Sequence, residues 1–123
     1  MKIARERVFI VDDDALVRHA LSQVLEDDGY DTIVLENAEA AFALNQPIRT
    51  IFIDIFMPGM GGVEGIARIL EQWPEAKIIA ISGGWMGEGM KDALKAAKKA
   101  GAHSVLLKPF TNKELYEVLA NLG

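Results

Sequence analysis

Three consecutive aspartates, Asp12-Asp13-Asp14, stand directly after the apolar run Val8-Phe9-Ile10-Val11. Asp54 follows Ile51-Phe52-Ile53, Ser82 follows Ile78-Ile79-Ala80-Ile81, and Lys108-Pro109 follows Val105-Leu106-Leu107. Acids, a hydroxyl and an amine at the ends of apolar runs can bind a cation and a phosphoryl group if folding brings those ends to one rim. Two carboxylates about 4 Å apart repel by roughly 4 kcal/mol at an effective dielectric of about 20. Several acids gathered together therefore require an offsetting charge. A hard divalent ion with oxygen ligands supplies it, and Mg2+ suits a site with few carboxylates and several waters. Lys108 adds a positive charge placed for a phosphoryl oxygen. Asp14 opens a helical pattern and reads as an N-cap. Asp54 is different: an acid between Ile51-Phe52-Ile53 and Ile55-Phe56-Met57 is expensive to keep near a core without a function.

The apolar runs, with Thr32-Ile33-Val34-Leu35 as a further one, are rich in β-branched residues and unbroken by polar alternation. That is the pattern of strands buried on both faces, as in a parallel sheet. Helical patterns separate them. Leu16, Ala20 and Val24, flanked by Val17, Leu21 and Leu25, form an apolar stripe, and Ala38 to Leu44 is a shorter helix stopped near Pro47. Val63, Ile66, Ala67 and Leu70 recur at helical spacing up to Trp73-Pro74. Met90 to Ala100 ends at Gly101, and Thr111 to Glu114 has the form of a capping box before Leu115, Val118, Leu119 and Leu122. Strand and helix alternate as (βα)5, too few units for a closed barrel of eight. The expected fold is α/β, doubly wound and flavodoxin-like, with a parallel sheet of order 2-1-3-4-5 and helices on both faces. Ligands of such sheets bind beyond the carboxyl ends of the strands, where the acids, Ser82 and Lys108 fall.

The 123 residues are half apolar and 25% charged, a globular composition read as a single domain over residues 1–123. Thirteen basic and eighteen acidic side chains give a net charge of −5, unsuited to binding nucleic acid directly. Cysteine is absent, which excludes thiolate metal sites and cysteine nucleophiles. The N-terminus is charged, and no apolar run approaches the roughly 20 residues that span a bilayer. A soluble, cytoplasmic chain without an attached effector domain is expected.

Four motifs, in order, resemble the receiver domain of two-component response regulators. They are Val11-Asp12-Asp13-Asp14, Ile53-Asp54 through Met57-Pro58-Gly59-Met60-Gly61-Gly62, Ser82-Gly83 and Lys108-Pro109-Phe110. The resemblance covers essentially the whole chain. It implies that Asp54 is the phosphoacceptor, taking a phosphoryl group from a phosphohistidine. It further implies that Asp12, Asp13, Asp54 and the backbone carbonyl of Phe56 hold Mg2+, with Mn2+ as an alternative ion. Lys108 would pair with the phosphoryl group, Ser82 would turn inward to hydrogen-bond it, and Pro109 would follow a cis peptide. The partners implied are a sensor histidine kinase or histidine phosphotransfer protein and a downstream effector. The chain would be a monomer or a phosphorylation-dependent dimer, and a self-catalysed phosphoacceptor rather than an enzyme.

Three features depart from the usual receiver pattern. Val105 occupies a position usually aromatic, Gly83-Gly84 follows the hydroxyl residue, and the glycine-rich stretch through Gly89 is longer than usual. Within that stretch, Trp85-Met86 reads as a lid over the next helix, with a partner surface as the other reading. Gly84 to Lys91 lacks phosphate-loop spacing, since the lysine comes one residue late. His19 and His103 read as solvated or partner-facing, Lys91, Lys95, Lys98 and Lys99 as a solvated helix face, and Met57 and Met60 as packing. Competing functions are a receiver-like binding module that is never phosphorylated, a Mg2+-dependent phosphatase with an aspartyl nucleophile, and a flavin carrier. The phosphatase reading lacks the second acid of Asp-x-Asp, because Phe56 stands there. Three aspartates after the first strand would repel a flavin phosphate.

Overall fold

The computed structural model describes residues 6–56, 62–83 and 88–122. Strands and helices alternate: β1 (Arg7–Val11), α1 (Ala15–Asp27), β2 (Asp31–Leu35), α2 (Ala38–Leu44), β3 (Thr50–Asp54), α3 (Gly62–Gln72), β4 (Lys77–Ser82), α4 (Glu88–Ala100), β5 (Ser104–Leu107) and α5 (Asn112–Leu122). All neighbouring strands pair in parallel, in the order β2-β1-β3-β4-β5. This is the expected (βα)5 topology. The Met57, Met60 and Trp85 readings lie outside the described residues.

Side chains alternate across a strand, and the two resulting sets have different partners. Phe9, Val11, Ile51, Ile53, Ile78 and Ala80 pack with Ala38 and Ala41 of α2, Ile66 and Ile69 of α3, and Ala97 of α4. Val8, Ile10, Phe52, Ile79, Ile81 and Leu106 pack with Leu21 and Leu25 of α1 and Leu115 of α5. Full burial of one such side chain is worth about 1.5–3 kcal/mol, so both faces of β1, β3 and β4 are held. The strand ends beyond these layers are correspondingly fixed.

The caps follow the sequence closely. Asp14 Oδ1 accepts from the Leu16 N–H at 2.9 Å, and Asn37 Oδ1 accepts from the Ala40 N–H at 2.9 Å. Thr111 Oγ1 accepts from the Glu114 N–H while Glu114 Oε1 accepts from the Thr111 N–H, both at 3.1 Å. Gly101, at φ 124°, takes the left-handed backbone that ends α4.

Three expectations need correction. β2 is not buried on both faces: it is a sheet edge, and Val34 is exposed. A run of β-branched residues does not distinguish an edge from a centre. In α1 the buried line is Leu21 and Leu25 with Val17 and Val24 alongside, whereas Leu16 is 81% exposed and Ala20 faces solvent. Adjacent i, i+4 lines are both apolar there, and packing against β1 selects one. His103 is exposed but also structural, because its Nδ1 accepts from the Ile78 N–H at 3.1 Å while its own N–H donates to the Ile78 carbonyl at 2.8 Å.

Two predictions follow from these contacts. A Cβ on Gly62 would collide with the backbone of Asp54 and Ile55, whereas one on Gly83 would meet nothing within 4 Å. Gly62→Ala is therefore expected to cost about 2 kcal/mol or more in urea unfolding, and Gly83→Ala less than about 0.5 kcal/mol. For His103, partial burial and then the nearby Lys77 charge hold the imidazole pKa below its ordinary 6.5. A base depressed in the fold leaves stability intact above that value and erodes it as pH falls below. Thermal unfolding from pH 7.5 to 5 is expected to show a larger loss of Tm for the natural chain than for His103→Gln.

Candidate functional site

The ladders continue past the strands and carry the chemical residues with them. The Asp12 N–H donates to the Leu35 carbonyl (3.1 Å), the Ile55 N–H to Ile81 (3.0 Å) and the Lys108 N–H to Ser82 (2.8 Å). Asp54 is the last residue of β3 and Ser82 the last of β4. One rim of the sheet therefore collects Asp12, Asp13, Asp54, Ser82 and Lys108, and the Lys108–Pro109 peptide there is cis.

Lys108 Nζ lies 2.9 Å from Asp12 Oδ2 and 3.1 Å from Asp54 Oδ2, with its side chain 18% exposed. The contact to Asp54 is a directed hydrogen bond. The contact to Asp12 is an ion pair, and among the described residues Asp12 Oδ2 is buried without a directed donor. The other oxygens are held by the backbone: the Asp14 N–H donates to Asp12 Oδ1 and the Phe56 N–H to Asp54 Oδ1, each at 2.8 Å. Asp13 is exposed at the mouth. Asp12, Asp13 and Asp54 each present a carboxylate oxygen within 4.8 Å of the others.

Burial pushes the Asp54 carboxyl above its ordinary pKa of 3.8, as does the Asp12 charge, against the lowering effects of the Phe56 N–H and Lys108. Burial alone would lower Lys108, but its contacts with Asp12 and Asp54 outweigh that and hold it above 10.5. The lysine stays charged at neutral pH and only partly offsets the acids. The undirected buried oxygen of Asp12, the clustered carboxylates and the all-oxygen donor set fit a hard divalent cation.

Ser82 is buried at the end of β4, and among the described residues its Oγ makes only a long bond of 3.4 Å to the Gly83 carbonyl. Asp14 serves as the α1 cap and is not part of the acidic group. Phe56 contributes its N–H to Asp54, its ring is half exposed, and its carbonyl adjoins residues 57–61, which are outside the described set.

The family model for the response regulator receiver domain matches residues 8–120. The chain belongs to this family. Chemotaxis protein CheY of Treponema pallidum is 31% identical over 121 residues, which is 94% of this chain and 81% of that one. Transcriptional regulatory protein AruR of Pseudomonas aeruginosa is 33% identical over 94% of this chain but only 48% of its own length. The receiver thus spans less than half of some curated relatives it matches. A crystal structure of a response regulator from Thermotoga maritima superposes with a TM-score of 0.83 at 30% identity, covering 97% of this chain and 98% of that one. The family's role is phosphorelay signalling through self-catalysed phosphotransfer rather than turnover of an external substrate, and the receiver carries the acidic cluster that this role requires. No helix among the described residues is long and apolar enough to cross a membrane.

Arg18 was not singled out in the sequence, yet its guanidinium donates to the Asp12 carbonyl at 2.6 Å. An arginine in the second turn of a helix after an acidic loop is the only signal that could have found it.

The raised Asp54 pKa makes a stability prediction. An acid whose pKa rises on folding costs nothing below its unfolded value, and its charge costs progressively more as pH climbs to the folded value. Asp54→Asn is expected to raise Tm at pH 7.5. The gain should shrink toward zero as pH approaches 3.8, which paired melts across pH would record.

Proposed function

We propose that Asp54 is the phosphoacceptor of a single receiver domain over residues 1–123, and that a sensor histidine kinase or histidine phosphotransfer protein is the donor. A carboxylate oxygen of Asp54 attacks phosphorus, the new P–O bond forms, and the P–N bond breaks so that the imidazole leaves with its electron pair. Phosphoryl transfer needs mainly positioning and charge neutralisation. The observation that carries this reading is an acid only 4% exposed, hydrogen-bonded to a half-buried lysine and grouped with two further carboxylates.

Mg2+, or Mn2+ in its place, would be held by Asp12, Asp13, Asp54 and the Phe56 carbonyl, and when bound would neutralise charge on the phosphoryl oxygens. Lys108 pairs with the transferred group. Ser82, whose hydroxyl has among the described residues only a 3.4 Å bond to give up, turns to donate to the phosphoryl oxygen and couples the site to β4. The downstream effector reads that change. The chain acts in the cytoplasm, as a monomer or a phosphorylation-dependent dimer, without binding nucleic acid itself.

Intact mass after incubation with Mg2+ and acetyl phosphate tests the reading. One phosphoryl adduct is expected, absent from Asp54→Asn and absent when the metal is chelated. An unmodified mass under conditions that label another receiver would instead support a binding module that is never phosphorylated.

A further inference from the structure

Arg18 reaches from the second turn of α1 back over the loop that carries the acids. Its Nη1 donates to the Asp12 carbonyl at 2.6 Å, and its Nη2 lies 3.9 Å from the exposed carboxylate of Glu36, a long ion pair. The Arg18 side chain is only 16% exposed, so ordering it is not a surface accident. The Asp12 backbone is thereby held at both ends: its N–H by the Leu35 carbonyl and its C=O by Arg18. Its side chain is held too, by the Asp14 N–H and the Lys108 ammonium. Asp13 is the exposed member of the cluster, and among the described residues its carboxylate makes no hydrogen bond. The carbonyl that Arg18 grips belongs to the peptide joining Asp12 to Asp13.

We propose that Arg18 is a positioning residue: by clamping the Asp12 carbonyl it orients the Asp12–Asp13 peptide so that Asp13 can join Asp12 and Asp54 on a divalent cation. The inference rests on the metal-dependent reading above. It has an unusual sign. Electrostatics alone predicts that removing a cation near an acidic pocket tightens binding of another cation, because less like-charge repulsion remains. Positioning predicts the reverse, since losing a group that orients a metal ligand typically costs 10- to 100-fold in affinity. Glu36 meets the other terminal nitrogen of the guanidinium at 3.9 Å, too long a contact to share this role.

Titration calorimetry of the full chain with Mg2+ alone, at fixed ionic strength, decides the matter. Arg18→Met is expected to weaken Mg2+ binding about ten-fold or more, and Glu36→Gln to leave it within about two-fold of the natural chain. Phosphoryl labelling of Arg18→Met by acetyl phosphate should recover as Mg2+ is raised. Arg18→Lys keeps the charge and a single donor, and should bind Mg2+ more tightly than Arg18→Met. It also serves as the test protein should the methionine variant fail to fold, since its affinity must then fall below that of the natural chain. Unchanged or tighter Mg2+ binding by a folded Arg18 variant overturns the positioning role alone. A natural chain that takes up neither Mg2+ nor a phosphoryl group overturns instead the reading on which the role rests.

Discussion

The ammonium of Lys108, set between Asp12 and Asp54, is the interaction on which the rest of the site depends. Two acids with buried carboxylates at the ends of adjacent strands are tolerable because this one cation stands within ion-pair distance of both. Removing that ammonium would leave both acids desolvated and unpaired, a loss that commonly costs about 3–5 kcal/mol. Yet one ammonium does not balance three carboxylates. The residual negative charge leaves a cluster capable of coordinating a divalent cation.

That arrangement is a consequence of strand order. Placing β1 and β3 side by side at the middle of the sheet brings Asp12 and Asp54 together, and β4 and β5 follow with Ser82 and Lys108. The ladder bonds beyond each strand then fix the backbone of Asp12, Ile55 and Lys108 rather than leaving the rim to loop conformation. Gly62 lets α3 start hard against the backbone of Asp54 and Ile55, where any side chain would force them apart. The stability lost to the buried charge is offset by two apolar layers on either face of the same strands.

Most of this was legible in the sequence, for a physical reason. Asp12, Asp54, Ser82 and Lys108 each stand at the end of an apolar run, and parallel pairing carries all such ends to one edge. The pattern of five strands and five helices was likewise visible, because strand and helix periodicities differ. What was hidden depended on contacts that periodicity does not encode. The exposure of Leu16 turned on which of two apolar lines of α1 meets the sheet. The bond of His103 to Ile78 depended on the β4–β5 register. Arg18 binds a backbone carbonyl six residues earlier, and such a carbonyl has no signature in the amino-acid letters.

The central claim is that the folded rim is a pocket of surplus negative charge, shaped for a divalent cation. Thermal unfolding of the natural chain along a Mg2+ series at constant ionic strength tests it most directly. An ion that binds only the folded pocket raises Tm progressively with its concentration, and the receiver is expected to show that rise while Asp13→Asn loses most of it. A melting temperature of the natural chain that stays flat from micromolar to tens of millimolar Mg2+ would contradict the claim.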